Sequence, residues 1–374
     1  MALPGILLRS PYFVNLESAT LTSIRVDLYI YTGTLYTDKP VNPNYTLTAS
    51  AFINSNGLNF SEIDIAPYCR DYVDVSFDFQ QDNPSNAVWI QYDLYYTATT
   101  TRDLILEGSY AFVGLDGYNY PHQGYNKLLP EQVLMSGDTI EVPTGSNTTI
   151  PVLQDYVTGY KLYEEAVLSG GETPIVTQSL SLSSTESDDA VYYIDTTTGL
   201  GTPRTVVVEF SGGRPDQTIK IKYNNQCRNE NIEISFINRY GVIQRAWLFG
   251  KSKKAISTTK TMYKKNLLDG MGGYDILKHQ NDILTKNGVQ TMTANTGFYK
   301  ESSNYIWKEM LLSEKVWYNT DGISELSTVF DPVNITAPVT VKSSSIEYKT
   351  SLDDKLINYT FTFEYAMDVI NSIR

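Results

Sequence analysis

The chain is poor in the residues that most often carry chemistry. Its 374 residues include only two cysteines and two histidines. Cys69 and Cys227 are too few for a disulfide framework, and we expect two unpaired thiols in a reducing compartment in preference to a single bridge between them. His122 and His279 are far apart in the sequence and lack the short spacing of zinc ligands. We therefore predict no metal and no cofactor.

Long apolar runs are missing as well. No segment approaches the about 18 apolar residues that a membrane-spanning helix needs. The first residues, MALPGILLRSPYFV, contain a short apolar run that proline and arginine interrupt, so we expect no signal peptide. The sequence predicts no membrane span.

Catalytic motifs are also absent from the sequence. No Gly-x-Ser-x-Gly motif presents a nucleophile, and no glycine-rich loop has the strand and helix that would let it bind phosphate. Asp71, Asp74 and Asp78 lie on two different faces of a predicted strand, which favours solvated carboxylates over a metal site. Asp188–Asp189 and Asp353–Asp354 are typical of turns. We predict a non-enzymatic protein, with a cryptic glycoside hydrolase as the least favoured alternative.

The abundant residues favour β-structure. The chain contains 29 tyrosines and is rich in threonine, serine and asparagine, which suit strands and turns. Apolar and polar residues alternate in TSIRVDLYIYTG, YVDVSFDF and AVWIQYDLYYT, which predicts strands with one face inward and one outward. Short strands repeated in this way predict an immunoglobulin- or fibronectin-like sandwich.

We predict a mainly β chain built of tandem β-sandwich domains, with a short helix and a C-terminal β-hairpin. The first domain spans 1–125, an extended connection spans 126–155, and a second β-rich domain spans 156–374. The second domain contains a basic arm at 250–266 and a helix at about 301–313.

Spacing defines the predicted helix and the C-terminal hairpin. Ser302 or Ser303 can cap the helix, whose apolar residues share one face. These residues are Ile306, Trp307, Met310 and Leu311. The hairpin occupies the last segment, SIEYKTSLDDKLINYTFTFEYAMDVINSIR, with its turn near Asp353 and Asp354. On its returning strand, Ile357 and the aromatic residues at alternate positions from Tyr359 to Tyr365 share one face.

Charge is distributed unevenly along the chain, whose net charge is -13. Residues 1–200 hold 24 acidic and 7 basic residues, a net charge of -17, whereas residues 201–374 hold 18 acidic and 22 basic, a net charge of +4. The basic part contains a predicted hairpin, Ile234–Phe249, with a tight turn at NRYG. Ile234 and Phe236 alternate with Glu233 and Ser235, so we expect its first strand to bury one face.

Lysines follow this hairpin in an extended arm that allows three interpretations. Lysine on an edge strand prevents unwanted pairing, and lysine can also dock on an acidic neighbour. The acidic N-terminal part, of the same chain or of a neighbouring copy, is the expected partner. Nucleic acid is the third interpretation, but the overall negative charge disfavours it and no recognition motif is present. We predict no sequence-specific nucleic-acid binding.

A loop rich in tyrosine, LDGYNYPHQGYN, contains Tyr118, Tyr120 and Tyr125. Exposed aromatic rings could stack on sugars or on a partner surface. The favoured interpretation is an interface loop whose rings pack and whose hydroxyls form hydrogen bonds.

Three segments resemble structural proteins of tailed bacteriophages and prophages of Bacteroidota. They are FINRYGVIQRAWLFGKSKK, TGFYKESSNYIWKEMLLSEKVWY and SSSIEYKTSLDDKLINYTFTFEYAMDVINSIR. The resemblance covers about 230–374, and SPYFV with SIRVDLYIYTG fits the same group more loosely. It implies a β-rich virion protein of the tail, neck or baseplate, assembled in the cytoplasm of the bacterial host. It brings no catalytic residues.

The resemblance and the charge asymmetry together lead to the expected partners. We expect a homo-oligomeric ring that also contacts other tail or portal proteins. The alternative is a glycan- or host-surface-binding adhesin or collar-spike module that uses the tyrosine-rich loop. The residues that we expect at contacts between subunits lie on the hairpin, the arm and the C-terminal strand: Trp247, Lys251, Lys253, Lys254, Lys260, Lys264, Lys265, Tyr359, Phe361 and Phe363.

Overall fold

The structure, a computed structural model, describes most of the chain. The described residues are 3–33, 36–73, 87–130, 132–164, 174–179, 190–196, 204–224, 231–268, 272–273, 277–320, 335–343, 345–347 and 356–367. Within these ranges the chain is mainly β, as predicted, with several sheets and short helices. Most of YVDVSFDF, together with Cys227, Asp188–Asp189 and Asp353–Asp354, lies outside the described residues.

Contacts divide the chain into two compact units. The first comprises Met1–Asn224 and Phe236–Ala246, and the second comprises Asn225–Ser235 and Trp247–Arg374. The predicted domains 1–125 and 156–374 stay a prediction, because compactness does not test which part folds independently.

The first part of unit one contains eight strands and one helical turn. The strands are β1 (Gly5–Leu7), β2 (Phe13–Ser18), β3 (Leu21–Tyr31), β4 (Tyr45–Ser50), β5 (Phe52–Ile53), β6 (Asn59–Asp64), β7 (Ala87–Ala98) and β8 (Thr101–Leu115), and the helix α1 spans Ala66–Arg70. They form a five-stranded sheet of order β1-β8-β7-β3-β4 and a three-stranded sheet of order β2-β6-β5. The predicted strands in TSIRVDLYIYTG and AVWIQYDLYYT are confirmed as β3 and β7.

These two sheets enclose one core. Val14 of the smaller sheet and Ile65 beside it pack with Val26, Leu28 and Ile90 of the larger sheet, and all five are buried. Apolar side chains at alternate positions meet between the sheets because successive side chains of a strand point to opposite faces. The arrangement is sandwich-like, whereas the immunoglobulin- or fibronectin-like identity stays a prediction.

The other face of β3 and β7 differs from the prediction. Alternation predicts Tyr29 and Tyr31 in solvent, yet both are buried. The chain after β3 covers them: the Tyr31 hydroxyl donates to the carbonyl of Tyr36, and Lys39 Nζ lies 3.7 Å from the centre of the Tyr29 ring. Lys39 Nζ also lies 2.6 Å from Asp93 Oδ2 on β7. The expected solvent-facing side is therefore wrong here, because a connecting segment packs on it.

The described residues between 132 and 224, also in unit one, contain seven further strands. They are β9 (Thr139–Pro143), β10 (Thr149–Leu153), β11 (Val157–Tyr163), β12 (Val176–Ser179), β13 (Val191–Asp195), β14 (Thr205–Phe210) and β15 (Gln217–Asn224). Five of them form a sheet of order β12-β11-β14-β15-β9, and β10 pairs antiparallel with β13. The segment 126–155, predicted as an extended connection, thus contains β9 and β10.

The hairpin Ile234–Phe249 is confirmed as two strands, whose residues are divided between the two units. They are β16 (Ile232–Ile237) and β17 (Ile243–Leu248), hydrogen-bonded neighbours in the sheet order. The predicted turn is also confirmed: Asn238 N–H donates to the carbonyl of Val242 at 2.9 Å, and Gly241 has a positive φ of 77°. The residues around this turn, Phe236–Ala246, belong to unit one.

Unit two contains the remaining strands and the predicted helix. The strands are β18 (Ser252–Lys264), β19 (Asn281–Asn295), β20 (Tyr299–Lys300), β21 (Val316–Thr320), β22 (Ile335–Val341), β23 (Leu356–Ile357) and β24 (Thr360–Tyr365), and the helix α2 spans Asn304–Leu312. The large sheet has the order β17-β16-β21-β22-β24-β19-β18, and β20 pairs with β23.

The helix α2 supplies the predicted apolar face to the core of unit two. Ile306, Trp307 and Met310 are buried, and Ser303 is the N-cap residue. The Trp307 ring is fully buried and packs edge-on to Tyr299 at 5.1 Å and against Phe361 at 5.8 Å.

The strand β16 is more deeply buried than the sequence predicts. Glu233 and Ser235, expected on an exposed face, are both buried. Asn319 of the neighbouring strand β21 donates from Nδ2 to Glu233 Oε2 at 2.8 Å. The prediction that only one face is buried is therefore wrong, because the polar face also lies inside the unit, where Glu233 accepts a hydrogen bond.

The C-terminal hairpin is confirmed for its returning strand but corrected for its partner. β24 pairs antiparallel with β22, with Val341 opposite Phe363, and with β19 on its other side. Residues 345–347, expected in the outgoing strand, are not in a strand. Pro338 lies directly before the part of β22 that pairs with β24, and proline disfavours a strand because it cannot donate a ladder hydrogen bond.

Candidate assembly surface

The predicted basic arm is one strand of a long antiparallel ribbon. β18 and β19 pair from Ser252 opposite Ala294 to Lys264 opposite Asn281, with a register shift between Thr261 and Met262. β18 is the edge strand of the large sheet, and β19 pairs on its other side with β24 only over Thr291–Asn295. In the described part of the chain, the outer part of this pair consists of β18 and β19 alone, and we call it the ribbon (256–264 and 281–290).

The composition of the ribbon explains why it is extended and why it is exposed. β-branched threonine favours the pleated conformation, and threonine and serine are interspersed with lysine along β18. Every residue from Lys253 to Lys264 is exposed, although four large apolar side chains lie among the exposed residues of the two strands. These are Ile256, Met262, Ile283 and Leu284.

The six lysines predicted at contacts between subunits are all exposed, and two of them have partners inside the chain. Lys254 Nζ lies 5.9 Å from the centre of the Tyr318 ring. Lys265 forms an ion pair with Asp282, whose hydrogen bond raises the pKa of Lys265 and lowers the pKa of Asp282. Among the described residues, no carboxylate pairs with the other four, which are Lys251, Lys253, Lys260 and Lys264.

Lys286, which was not predicted as a contact residue, lies directly opposite Lys260. The two ammonium groups share one face of the ribbon, because directly opposed residues of an antiparallel pair point the same way. Apolar and polar residues do not alternate clearly around Lys286. The register of β18 against β19, which the connection at 265–280 joins, cannot be read from the sequence. Only the pairing of β18 with β19 reveals this like-charge pair.

Four other predicted contact residues lie inside unit two. Trp247, Tyr359, Phe361 and Phe363 are all at least 94 % buried, with exposures of 6 %, 6 %, 1 % and 0 %. The Tyr299 hydroxyl donates to the carbonyl of Trp247 at 2.5 Å. These side chains are part of the core of unit two. Their role at contacts between subunits stays a prediction, and their burial does not favour it.

The tyrosine-rich loop is mostly packed against the rest of unit one. The rings of Tyr118 and Tyr120 meet edge-on at 5.8 Å, and both are half-buried. The Tyr120 ring also stacks on His122 at 5.6 Å and has the Arg239 guanidinium 5.7 Å from its centre. Tyr125 alone of the three is largely exposed. Three side chains therefore contact the Tyr120 ring, which favours the packing interpretation of this loop.

The described part of the chain contains no cluster of metal ligands and one free cysteine. No three His, Cys, Asp or Glu side chains there lie close enough to bind a metal ion together. Cys69 is free and buried, and burial raises the pKa of its thiol. The described helices include none that is long and apolar enough to cross a membrane.

Comparison with known proteins gives no family for the chain. No family model matches it, and no curated protein matches it either.

Proposed function

We propose that the chain is a non-enzymatic structural protein of a tailed-bacteriophage virion, which assembles with copies of itself into a ring. Its place is the tail, neck or baseplate, its neighbours are other tail or portal proteins, and it is made in the cytoplasm of the bacterial host. The resemblance of residues 230–374 to virion proteins supports the phage assignment.

The ribbon is the observation that carries the proposal of self-assembly. It is long, its strand β18 is exposed on both faces, and it presents lysines that lack carboxylate partners among the described residues. Guarding an edge strand accounts for lysines, but it does not account for the apolar side chains exposed among them. Residues 1–200, with a net charge of -17, offer the opposite charge in every other copy. Contacts between two different surfaces of identical subunits are head-to-tail, and they close into a ring when the rotation allows.

Light scattering over a range of protein concentrations tests self-assembly. We expect species larger than one chain at low salt, and their dissociation at 1 M salt, because the Debye length falls from about 10 Å at 0.1 M to about 3 Å. A chain that stays monomeric at every concentration would contradict the proposal.

A lysine variant and a matched control separate the basic arm from general charge effects. Replacing the lysines at 251, 253 and 254 with alanine should weaken assembly and reduce its dependence on salt. Replacing three exposed lysines elsewhere, Lys127, Lys220 and Lys300, changes the net charge equally and should have little effect. Equal effects of both variants would remove the arm from the proposal.

The virion assignment needs its own test. Antibodies against the chain should label the tail or neck of purified particles in electron micrographs. Particles that assemble with tails but do not contain the chain would overturn the assignment, whatever the oligomeric state.

A further inference from the structure

One face of the ribbon combines positive charge with exposed apolar surface. Lys260 and Lys286 lie opposite each other on this face. Residues two positions apart on a strand point the same way, so Ile256 and Met262 lie on this face as well. Met262 pairs with Ile283. The exposed fraction is 59 % for Ile256, 46 % for Met262 and 45 % for Ile283. We call this set of five residues the basic face.

The basic face is unfavourable in the free chain. Like charges directly opposite each other on an antiparallel pair destabilise it, and the Cβ atoms of such a pair are about 5 Å apart. No carboxylate among the described residues pairs with either lysine. We therefore expect a partner whose surface combines negative charge with apolar area.

A surface of unit one has that chemistry. On the three-stranded sheet, Glu17 of β2 lies opposite Phe60 of β6, and Phe60 lies opposite Phe52 of β5. Glu62 follows on the same face, two residues beyond Phe60. Val14 points to the other face, into the core of the unit. We call Glu17, Phe52, Phe60 and Glu62 the acidic face.

The acidic face is open and its carboxylates are unengaged. Glu17 and Glu62 are exposed, and neither pairs with a cation of the described part of the chain. The Phe52 side chain is 54 % exposed, although its ring packs edge-on to Phe60 at 5.5 Å. The two glutamates are diagonal neighbours, about 7 to 8 Å apart and somewhat closer between their Cβ atoms, a separation that two long lysine side chains can match.

We propose that the basic face of one copy docks on the acidic face of a second copy. Two lysines then meet two glutamates, while Ile256, Met262 and Ile283 cover Phe52 and Phe60. This inference rests on the proposed self-assembly and names the two surfaces that carry it. Because the two faces differ, the contact is head-to-tail, so each subunit gives one face and receives the other.

Charge reversal on either face tests the contact. The variants K260E/K286E and E17K/E62K should each weaken self-association by at least about 100-fold, because they place like charges across the interface. The variant K260R/K286R keeps the charge and should associate like the unchanged chain. Lysine at two exposed carboxylates outside the face, D38K/D216K, shifts the net charge exactly as E17K/E62K does and should leave association intact.

Restoration makes the test specific. A chain that carries all four reversals has both faces inverted, and its self-association should return to within about 10-fold of the original. Mixing the two double variants should restore assemblies in which the two chains alternate, because the inverted faces are complementary to each other and the unchanged faces still match. Circular dichroism and urea unfolding of every variant identify any that fails to fold.

The outcomes separate this inference from the proposed function. An unchanged chain that never associates refutes self-assembly itself. If the chain associates and both reversals leave the association unchanged, the docking contact is wrong while self-assembly stands. If only the lysine reversal dissociates the chain, the basic face binds another surface and the acidic face is overturned as its partner.

Discussion

Two turns of unit one have the same backbone geometry in different surroundings. One joins β5 to β6 with the sequence NSNGL, and the other joins β16 to β17 with NRYGV. In each, the first asparagine N–H donates to the carbonyl of the last residue, at 2.8 and 2.9 Å. In each, the glycine N–H donates to the asparagine carbonyl at 3.0 Å, and Gly57 and Gly241 share a φ of 77°.

The space around the two glycines is what differs. A Cβ atom added to Gly57 would meet nothing within 4 Å. A Cβ atom on Gly241 would lie 2.6 Å from the backbone of Asp116 and Gly117, closer than the 3.0 Å below which real Cβ atoms essentially never come. A backbone atom cannot rotate away as a side chain can, so the two segments must separate.

Alanine at each glycine should therefore cost different amounts of stability. Gly57→Ala should lower the free energy of unfolding by about 1 to 2 kcal/mol, the cost of a left-handed residue with a Cβ atom. Gly241→Ala has the same cost plus about 1 to 3 kcal/mol for overpacking. The difference between the two variants, about 1 to 3 kcal/mol, measures the close approach alone.

Urea unfolding followed by circular dichroism measures both variants against the unchanged chain. Gly117→Ala is an internal check, because its Cβ atom would lie 2.4 Å from the carbonyl oxygen of Arg239. Its φ is not positive, so only the steric cost applies. If Gly57→Ala and Gly241→Ala agree within about 0.5 kcal/mol, the reasoning from close approach is refuted.

Further predictions concern the ribbon, the core of unit two and a buried carboxylate. In the dissociated chain, Lys286→Glu should slow hydrogen exchange of ribbon amides about two- to fivefold, since a Lys260–Glu pair replaces repulsion; unchanged exchange would contradict it. Trp307→Ala should lower the free energy of unfolding by about 3 to 5 kcal/mol in urea, and Trp307→Phe by clearly less. Burial alone raises the pKa of Asp93, but hydrogen bonds from Lys39 and a serine outweigh it and hold the pKa low. This carboxylate therefore stabilises the fold above its ordinary pKa of about 4, and the contribution is lost as pH falls through the lower folded pKa. Asp93→Asn should make acid unfolding less steep.

The strands were predictable where local chemistry alone decides them. Alternation located β3 and β7, and the asparagine and glycine of NRYG located the turn between β16 and β17. Burial of the polar faces was not predictable, because it depends on segments far away in the sequence. Asp93 is covered by Lys39, and Glu233 by Asn319. A polar residue with a buried hydrogen-bond partner has the same local pattern as one in water.

The candidate site was only partly predictable for a related reason. Composition identified the exposed lysines of β18, since a run of basic residues without acidic neighbours is a local feature. It could not identify Lys286 as the partner of Lys260, because that register is set across the connection between the strands and a bulge at Thr261. The aromatic residues of the C-terminal strand led to the opposite error, since they were predicted at contacts between subunits. Phe361 and Phe363 resemble contact residues by type, yet their alternation places them in the core.

The stability of the ribbon links its structure to assembly. A two-stranded ribbon without further packing is marginally stable in water. Here the pair Lys260 and Lys286 adds repulsion, whereas the exposed ion pair of Lys265 with Asp282 adds little, since solvent screens exposed pairs. Lysines that protect an edge strand from unwanted pairing need neither an exposed Ile256 nor a second lysine directly opposite. A partner that supplies carboxylates and apolar area would remove both costs at once, so assembly explains features of the ribbon that folding of one chain does not.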